Sequence, residues 1–306
     1  MPTPAPAHAA DRFLDPKVLS RIQNLELLAR TVVDGFINGL HRSPYLGLSL
    51  DFAEHRGYMP GDDIRRIDWR LYARTDRYYV KEFEADTNSN FMVLLDVSRS
   101  MAYGSAGLPK LDYARYLAAC LTYFSRQQRD RVGLATFDAE VVDYVPPSAR
   151  HLEQVLYSLD RVRPAEGVRG ELAPAIARVA ERLRRRGIVA LISDLYEDPD
   201  SILEAVKPLL ARGQDLIVFH LLDPTERDFP FEDSMNLEEL ETGEHLPVVP
   251  GSMRTRYRAM IDEHIATLTH RFAENRVDYA MFDTSTPLDH ALFAFLSSRE
   301  RLSRVR

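Results

Sequence analysis

The sequence predicts an α/β fold: a mostly parallel, doubly wound sheet flanked by helices, preceded by an N-terminal helix and a segment of short strands. Three observations predict it. Phe91–Leu95 (FMVLL) and Ile188–Ile192 (IVALI) are continuous apolar runs, the pattern of strands covered on both faces. Stretches of helical period alternate with further short apolar runs. Both runs also end in a carboxylate, Asp96 at once and Asp194 after one serine. Ligands of open parallel sheets sit at that edge.

Each element has its own signal. Residues 1–12 (MPTPAPAHAADR) form a Pro/Ala-rich tail without the basic and apolar regions of a signal peptide. Asp15-Pro16 suits a helix start, and Val18, Ile22, Leu25, Leu28, Val32 and Phe36 recur at steps of three and four, with Gly39 as the stop. A densely charged segment follows. Alternation at Leu46–Leu50, Ile67–Leu71 and Tyr79–Phe83, with a Pro60-Gly61-Asp62 turn, predicts short strands and tight loops. Beyond it come a helix over Pro109–Arg126 and strands Arg131–Phe137 and Glu140–Val145, joined as an antiparallel hairpin by Asp138-Ala139. Helices fit Ala149–Leu159, Glu171–Arg186 and Ser201–Ala211, and a strand fits Leu216–Leu222. Phe229–Pro250 breaks this rhythm as a hairpin insertion, a candidate partner-contact element on exposure grounds. A helix over Met253–Asn275, a strand Val277–Phe282 and a helix Leu288–Arg301 complete the chain.

Composition excludes several functions. The 306 residues carry a formal net charge of -7, so the chain as a whole is not built to coat nucleic acid or an anionic membrane. The arginines from Arg65 to Arg77, with Lys81, are interleaved with acids, which argues against a nucleic-acid patch. One cysteine, Cys120, permits no internal disulfide, and its helical setting suits a small buried residue. No apolar run is long enough to span a bilayer, and the expected location is the cytoplasm. The run Arg182–Arg186 reads as the solvated end of a helix, where cations complement the dipole. P-loop and nucleophile-elbow motifs are absent.

The chemistry concentrates at Phe91–Gly104 (FMVLLDVSRSMAYG). Asp96, Ser98 and Ser100 stand at i, i+2 and i+4, which projects them to one side of an extended loop. With Asp194 they make an all-oxygen set suited to a hard cation such as Mg²⁺ or Mn²⁺, with no histidine or thiolate to favour zinc or copper. The competing reading is that Asp and Ser after a strand merely cap the next helix. Asp62, Asp63 and Asp68 form a second acidic group, best explained by turn capping and ion pairs with Arg65, Arg66 or Arg70.

Asp96-Val97-Ser98-Arg99-Ser100 matches Asp-x-Ser-x-Ser and resembles the metal-ion-dependent adhesion site of von Willebrand factor A domains. The stretch HRSPYLGLSLDFAEHRGYMPGDDIRRIDWRLYARTDRYYVKEFEADTN resembles the signature preceding the A-like domain in a widespread bacterial family of unknown function. That family is typically encoded beside MoxR-type AAA+ ATPases, and the resemblance runs from about Phe13. It implies an N-terminal helix and signature segment over residues 13–88 and an A-like domain over 89–306, with the insertion at about 229–250. It also implies a metal site in three loops. Asp96, Ser98 and Ser100 match the first and Asp194 the third. In the second, GVRGEL places Gly170 where threonine is usual, leaving Glu171 or a water to supply the oxygen.

The function expected from this resemblance is a non-catalytic interaction module. It would work with a MoxR-type AAA+ ATPase on an unknown client protein, in chaperone-like assembly or maturation. Two rivals stand beside it. One is a Mg²⁺-dependent phosphatase-like hydrolase using Asp96 as nucleophile, which lacks the second acid because Ser98 stands there. The other is a scaffold whose site holds no metal.

Overall fold

The computed structural model describes residues 24–42, 54–57, 77–82, 89–105, 107–165, 171–233, 235–238 and 245–304, with Tyr72 and Thr75. Helix α1 (Leu25–Arg42) opens the described chain, followed by strands β1 (Glu54–Gly57) and β2 (Tyr79–Glu82), which pair antiparallel. The α/β unit comprises β3 (Asn90–Asp96), α2 (Lys110–Gln127), β4 (Arg131–Phe137), β5 (Val141–Ser148), α3 (Leu152–Arg161), α4 (Leu172–Arg182), β6 (Gly187–Ser193), α5 (Pro199–Ala211) and β7 (Asp215–Leu222). A short helix α6 (Pro224–Asp228) leads to the hairpin β8 (Met235–Glu238) and β9 (His245–Val248), then α7 (Pro250–Glu274), β10 (Asp278–Asp283) and α8 (Leu288–Arg304).

Six strands form one sheet in the order β10-β7-β6-β3-β4-β5, all neighbours parallel except the β4–β5 pair. The chain starts in the middle at β3, builds outward through β4 and β5, then returns to build β6, β7 and β10 on the other side. The strand order therefore reverses between β3 and β6, the two strands that end in the predicted carboxylates.

Alternation along β3 divides the core into two layers. Phe91, Val93 and Leu95 face a layer built with α1, α2, α3 and α8, while Met92 and Leu94 face one built with α4, α5 and α7. A strand buried on both faces must be apolar at every position, which is why FMVLL reads as an unbroken run. The first layer is fastened by edge-to-face ring pairs, Phe36–Phe124, Phe124–Phe295 and Phe91–Phe295, at centroid distances of 6.3, 6.0 and 5.4 Å. Through Phe36 the N-terminal helix shares this core.

Several boundaries differ from the pattern reading. Helix α1 is capped by Asn24, whose Oδ1 accepts from the Leu27 N–H at 2.9 Å, and it runs through Gly35 and Gly39 to Arg42. Burial of Leu28, Val32, Val33 and Phe36 outweighs the roughly 1 kcal/mol helical cost of a glycine. Helix α4 ends at Arg182 rather than Arg186, because buried Leu183 adopts an extended conformation and turns the chain toward β6. Helix α7 begins at Pro250, three residues before the predicted start. The expectations for Asp15-Pro16, Leu46–Leu50, Ile67–Leu71, the Asp62–Asp68 acids and Gly170 lie outside the described residues.

The sheet leaves no room at its N-terminal edge beside Gly187. A Cβ built there lies 2.3 Å from the Asn90 carbonyl oxygen. Gly187→Ala is expected to lower stability in urea unfolding by about 1–3 kcal/mol without changing the secondary structure seen by circular dichroism.

Candidate functional site

The β3 chain leaves the sheet at Asp96 and is held immediately. The Val97 N–H donates to the Phe137 carbonyl at 2.8 Å, and the Val97 carbonyl accepts from the Ala165 N–H at 2.7 Å. The Ser98 N–H turns back to Asp96 Oδ1 at 2.8 Å, and a short 3-10 turn, Arg99–Ala102, plants Met101 in the core. These restraints bring the Ser98 and Ser100 hydroxyls to 3.1 Å from each other.

The neighbouring strand supplies the second half. Ser193 Oγ donates to Asp96 Oδ2 at 2.6 Å, so each Asp96 oxygen already accepts a hydrogen bond. Leu195, directly after Asp194, takes a left-handed φ of 48°, a conformation costing a non-glycine residue about 1–3 kcal/mol. Its carbonyl accepts from His264 Nε2 at 2.9 Å, and its N–H donates to Ser193 Oγ at 3.1 Å. These two bonds hold the turn after β6 in place despite that cost.

Burial and the nearby Asp194 carboxylate push the Asp96 carboxyl up to about 7, against the bonds from Ser193 and Ser98 that lower it. Two carboxylates at one sheet edge call for a cation. The protein provides one in Lys110, on the first turn of α2. Its ammonium is wholly buried and lies 2.8 Å from Asp194 Oδ2 and 2.8 Å from Glu226 Oε1. It also lies 4.7 Å from the centroid of the Tyr196 ring. Burial works against the charge on Lys110, but Asp194 and Glu226 outweigh it and hold the ammonium above its ordinary value. Burial pushes the Glu226 carboxyl up in spite of Lys110. The two short contacts to one ammonium join both acids to Lys110.

Glu226 is placed by a capping box at the start of α6. Its other oxygen accepts from the Asp223 N–H at 2.8 Å, while the Asp223 side chain accepts from the Thr225 N–H. Asp223 also accepts from the N–H and hydroxyl of Ser105, which ties the loop after β3 to the end of β7. Burial opposes its charge, and the Ser105 and Thr225 bonds win, holding Asp223 below the usual carboxylate range. Deeper under this edge, His220 is buried with Nδ1 2.6 Å from the Tyr279 hydroxyl. Burial, then the neighbouring His264, push its pKa down to about 3, against the pull of Asp194.

Of the predicted residues, the structure gathers Asp96, Ser98, Ser100 and Asp194 at the reversal point. Glu171 sits exposed at the N-cap of α4 without a side-chain capping bond, and the next N–H, of Leu172, is taken by Glu197 Oε1 at 2.7 Å. Among the described residues no three histidine, cysteine or acidic side chains come together as a metal cluster. The fit to a hard cation rests on Asp96 and the serine pair. Hydroxyls 3.1 Å apart match neighbouring ligands of an octahedral ion with bonds of about 2.1 Å, which lie about 3 Å apart. One Asp194 oxygen is already committed to Lys110. Pattern reading missed Lys110, Glu226 and Asp223. The signal was present for Lys110, which stands four residues before Ala114 on the apolar stripe of α2, where a cation needs a buried partner.

The chain matches the family described as "Protein of unknown function DUF58" over residues 54–267. It belongs to that family. Among its relatives, Uncharacterized protein Rv1480 of Mycobacterium tuberculosis is 31% identical over 232 residues, 75% of this chain and 73% of the relative. Uncharacterized protein MAV169 of Mycobacterium avium is 34% identical over 98 residues, 31% of this chain and 57% of the relative. Similar solved structures include the conserved hypothetical protein BatB from Bacteroides thetaiotaomicron, with 16% identity and a TM-score of 0.48 over 69% of this chain and 98% of that one. The SpRpn10 VWA domain is another, at 13% identity and a TM-score of 0.39 over 66% of this chain and 92% of that one. No helix among the described residues of this DUF58 protein is long and apolar enough to cross a membrane.

Two expectations follow from the buried network. Lys110→Met leaves Asp194 and Glu226 facing each other without a counter-charge, and is expected to cost about 3–5 kcal/mol in urea unfolding. His220, neutral when folded, has an ordinary value of 6.5 when unfolded. Its contribution to stability is full above pH 6.5 and is lost as the pH falls toward about 3, at up to about 1.4 kcal/mol per pH unit. Denaturation of His220→Gln across that window should show a shallower acid loss than wild type.

Proposed function

We propose that this DUF58 protein is a non-catalytic interaction module. Its working site is the sheet edge at Asp96, Ser98 and Ser100, and it serves a MoxR-type AAA+ ATPase in chaperone-like assembly or maturation of a client protein. The observation that carries the reading is the convergence of Asp96 with two hydroxyls 3.1 Å apart at the point where the strand order reverses. When bound, Mg²⁺ or Mn²⁺ would supply a positive charge able to attract a carboxylate of the partner. Asp96, Ser98 and Ser100 would hold the ion. Asp194 adds charge from behind, tethered by Lys110, and exposed Glu171 is the outermost proposed donor. Ser193 fixes the orientation of the Asp96 carboxylate through its short bond to Oδ2.

A second reading has its own observation. Lys110 already offsets the acid charge of Asp194 and Glu226 from within, so the edge does not need a metal for that purpose, which favours a scaffold that docks its partner without one.

Calorimetry with Mg²⁺ and Mn²⁺ separates the two. The metal reading expects a saturable heat in wild type that is lost in Asp96→Ala and in Ser98→Ala/Ser100→Ala, with a smaller loss in Glu171→Gln. It also expects capture of a purified MoxR-type ATPase to weaken at least about tenfold on addition of a chelator. No heat in any protein, with capture intact, leaves the scaffold. Failure to bind the ATPase with or without metal sinks the partner assignment.

A further inference from the structure

At the N-terminal edge of the sheet, opposite the candidate site, the corner beside β3, β4 and β5 gathers arginines. There the starts of β3 and β4, the end of β5 and the connector from α4 to β6 border an open cleft of about 460 Å³. Arg131, Arg150, Arg182, Arg184 and Arg185 line it, and among the described residues no acidic one does. This arrangement runs against a chain whose net charge is -7. One turn earlier on α4, Arg178 pairs with Glu140 at 3.1 Å. Among the described residues, none of the five arginines of the cleft has such a partner. Arg182 instead lies over the Tyr144 ring, 4.8 Å from its centroid, which orients its guanidinium.

The shape of the cleft argues for a small ligand. Its volume falls in the range of small-molecule sites, roughly 300–1,000 Å³. Its floor is partly apolar, with Pro146, Pro147 and Tyr144. An extended peptide would dock most simply by adding a strand to β5, the edge strand beside the cleft. Pro146 and Pro147 have no N–H to donate along that edge, so strand addition is disfavoured where the arginines gather. Guanidinium groups are always charged and form paired, planar hydrogen bonds with phosphate oxygens.

We propose that this cleft is a binding site for a small soluble molecule carrying two or more phosphate groups, of the size of a nucleoside diphosphate. The phosphates lie among Arg131, Arg184 and Arg185, with Arg150 closing from the β5 side. The apolar part of the ligand rests on the proline and tyrosine floor. This site is independent of any metal at Asp96, so the two are tested separately.

The test is calorimetry on the full chain in a buffer free of divalent cations, with inorganic triphosphate and ADP as probes. The expected result is a saturable 1:1 heat for both. Arg184→Ala/Arg185→Ala, and separately Arg150→Glu, should weaken binding about tenfold or more, while Arg256→Ala on exposed α7 should not. All these side chains are exposed, and circular dichroism checks that the variants remain folded. Absence of heat with both probes overturns the proposal. So does an equal loss in Arg256→Ala, which would mean adventitious ion binding only. Tighter binding of an acidic peptide than of either probe also overturns it, in favour of a protein partner.

Discussion

The structure depends on where negative charge is placed at the C-terminal edge of its sheet. Adjacent parallel strands β3 and β6 deliver Asp96 and Asp194 to one low-dielectric corner, where two unpaired carboxylates repel strongly. The fold answers with Lys110, an ammonium wholly removed from water and shared by Asp194 and Glu226. That contact joins helix α2, strand β6 and the cap of α6. Asp223 extends the link to the loop after β3 through Ser105. The network therefore fixes the loops that a ligand of this edge would meet. It also divides labour between the acids: Asp96 stays with the hydroxyls, while Asp194 is largely occupied by the lysine.

Much of this was legible in the sequence, for a physical reason. Strands covered on both faces must be continuously apolar, and FMVLL and IVALI admit few other readings. The carboxylates that follow them mark the edge of the candidate site, and the structure brings their strands together as neighbours. The N-terminal helix was legible from its apolar stripe, although glycine misled the reading of its end, because packing against α2 outweighs local propensity. Lys110 was harder to see. It belongs to a helix whose period is set by its apolar neighbours, and its partners lie 84 and 116 residues away. Arg184–Arg186 looked like the tail of a helix because a charge run carries no mark of where a helix stops. The buried Leu183 beside it decides that.

The two ends of the sheet differ chemically. One gathers acids around a single lysine; at the other, five arginines line the cleft beside β3, β4 and β5, while Asp215 and Asp278 begin β7 and β10. Both follow from the parallel arrangement, which sends all strand starts to one edge and nearly all strand ends to the other. Only β5 runs against it, and its two prolines fall where it returns to the arginine edge.

The span of the contacts at Asp96 bears on how the chain acquires its fold. Ser193 reaches Asp96 across 97 residues, and Ser105 reaches Asp223 across 118. Closing such loops costs chain entropy that local contacts do not, so contacts of this separation form late relative to the helices and the β4–β5 hairpin. Until β6 and β7 are seated, Asp96 lacks Ser193 and Lys110 lacks both of its acids. The corner closes only when the central strands are in register. The complete site is thereby a certificate of folding, because the local turn of Asp96, Ser98 and Ser100 gains Ser193 and the Lys110 network only once β6 and β7 have docked.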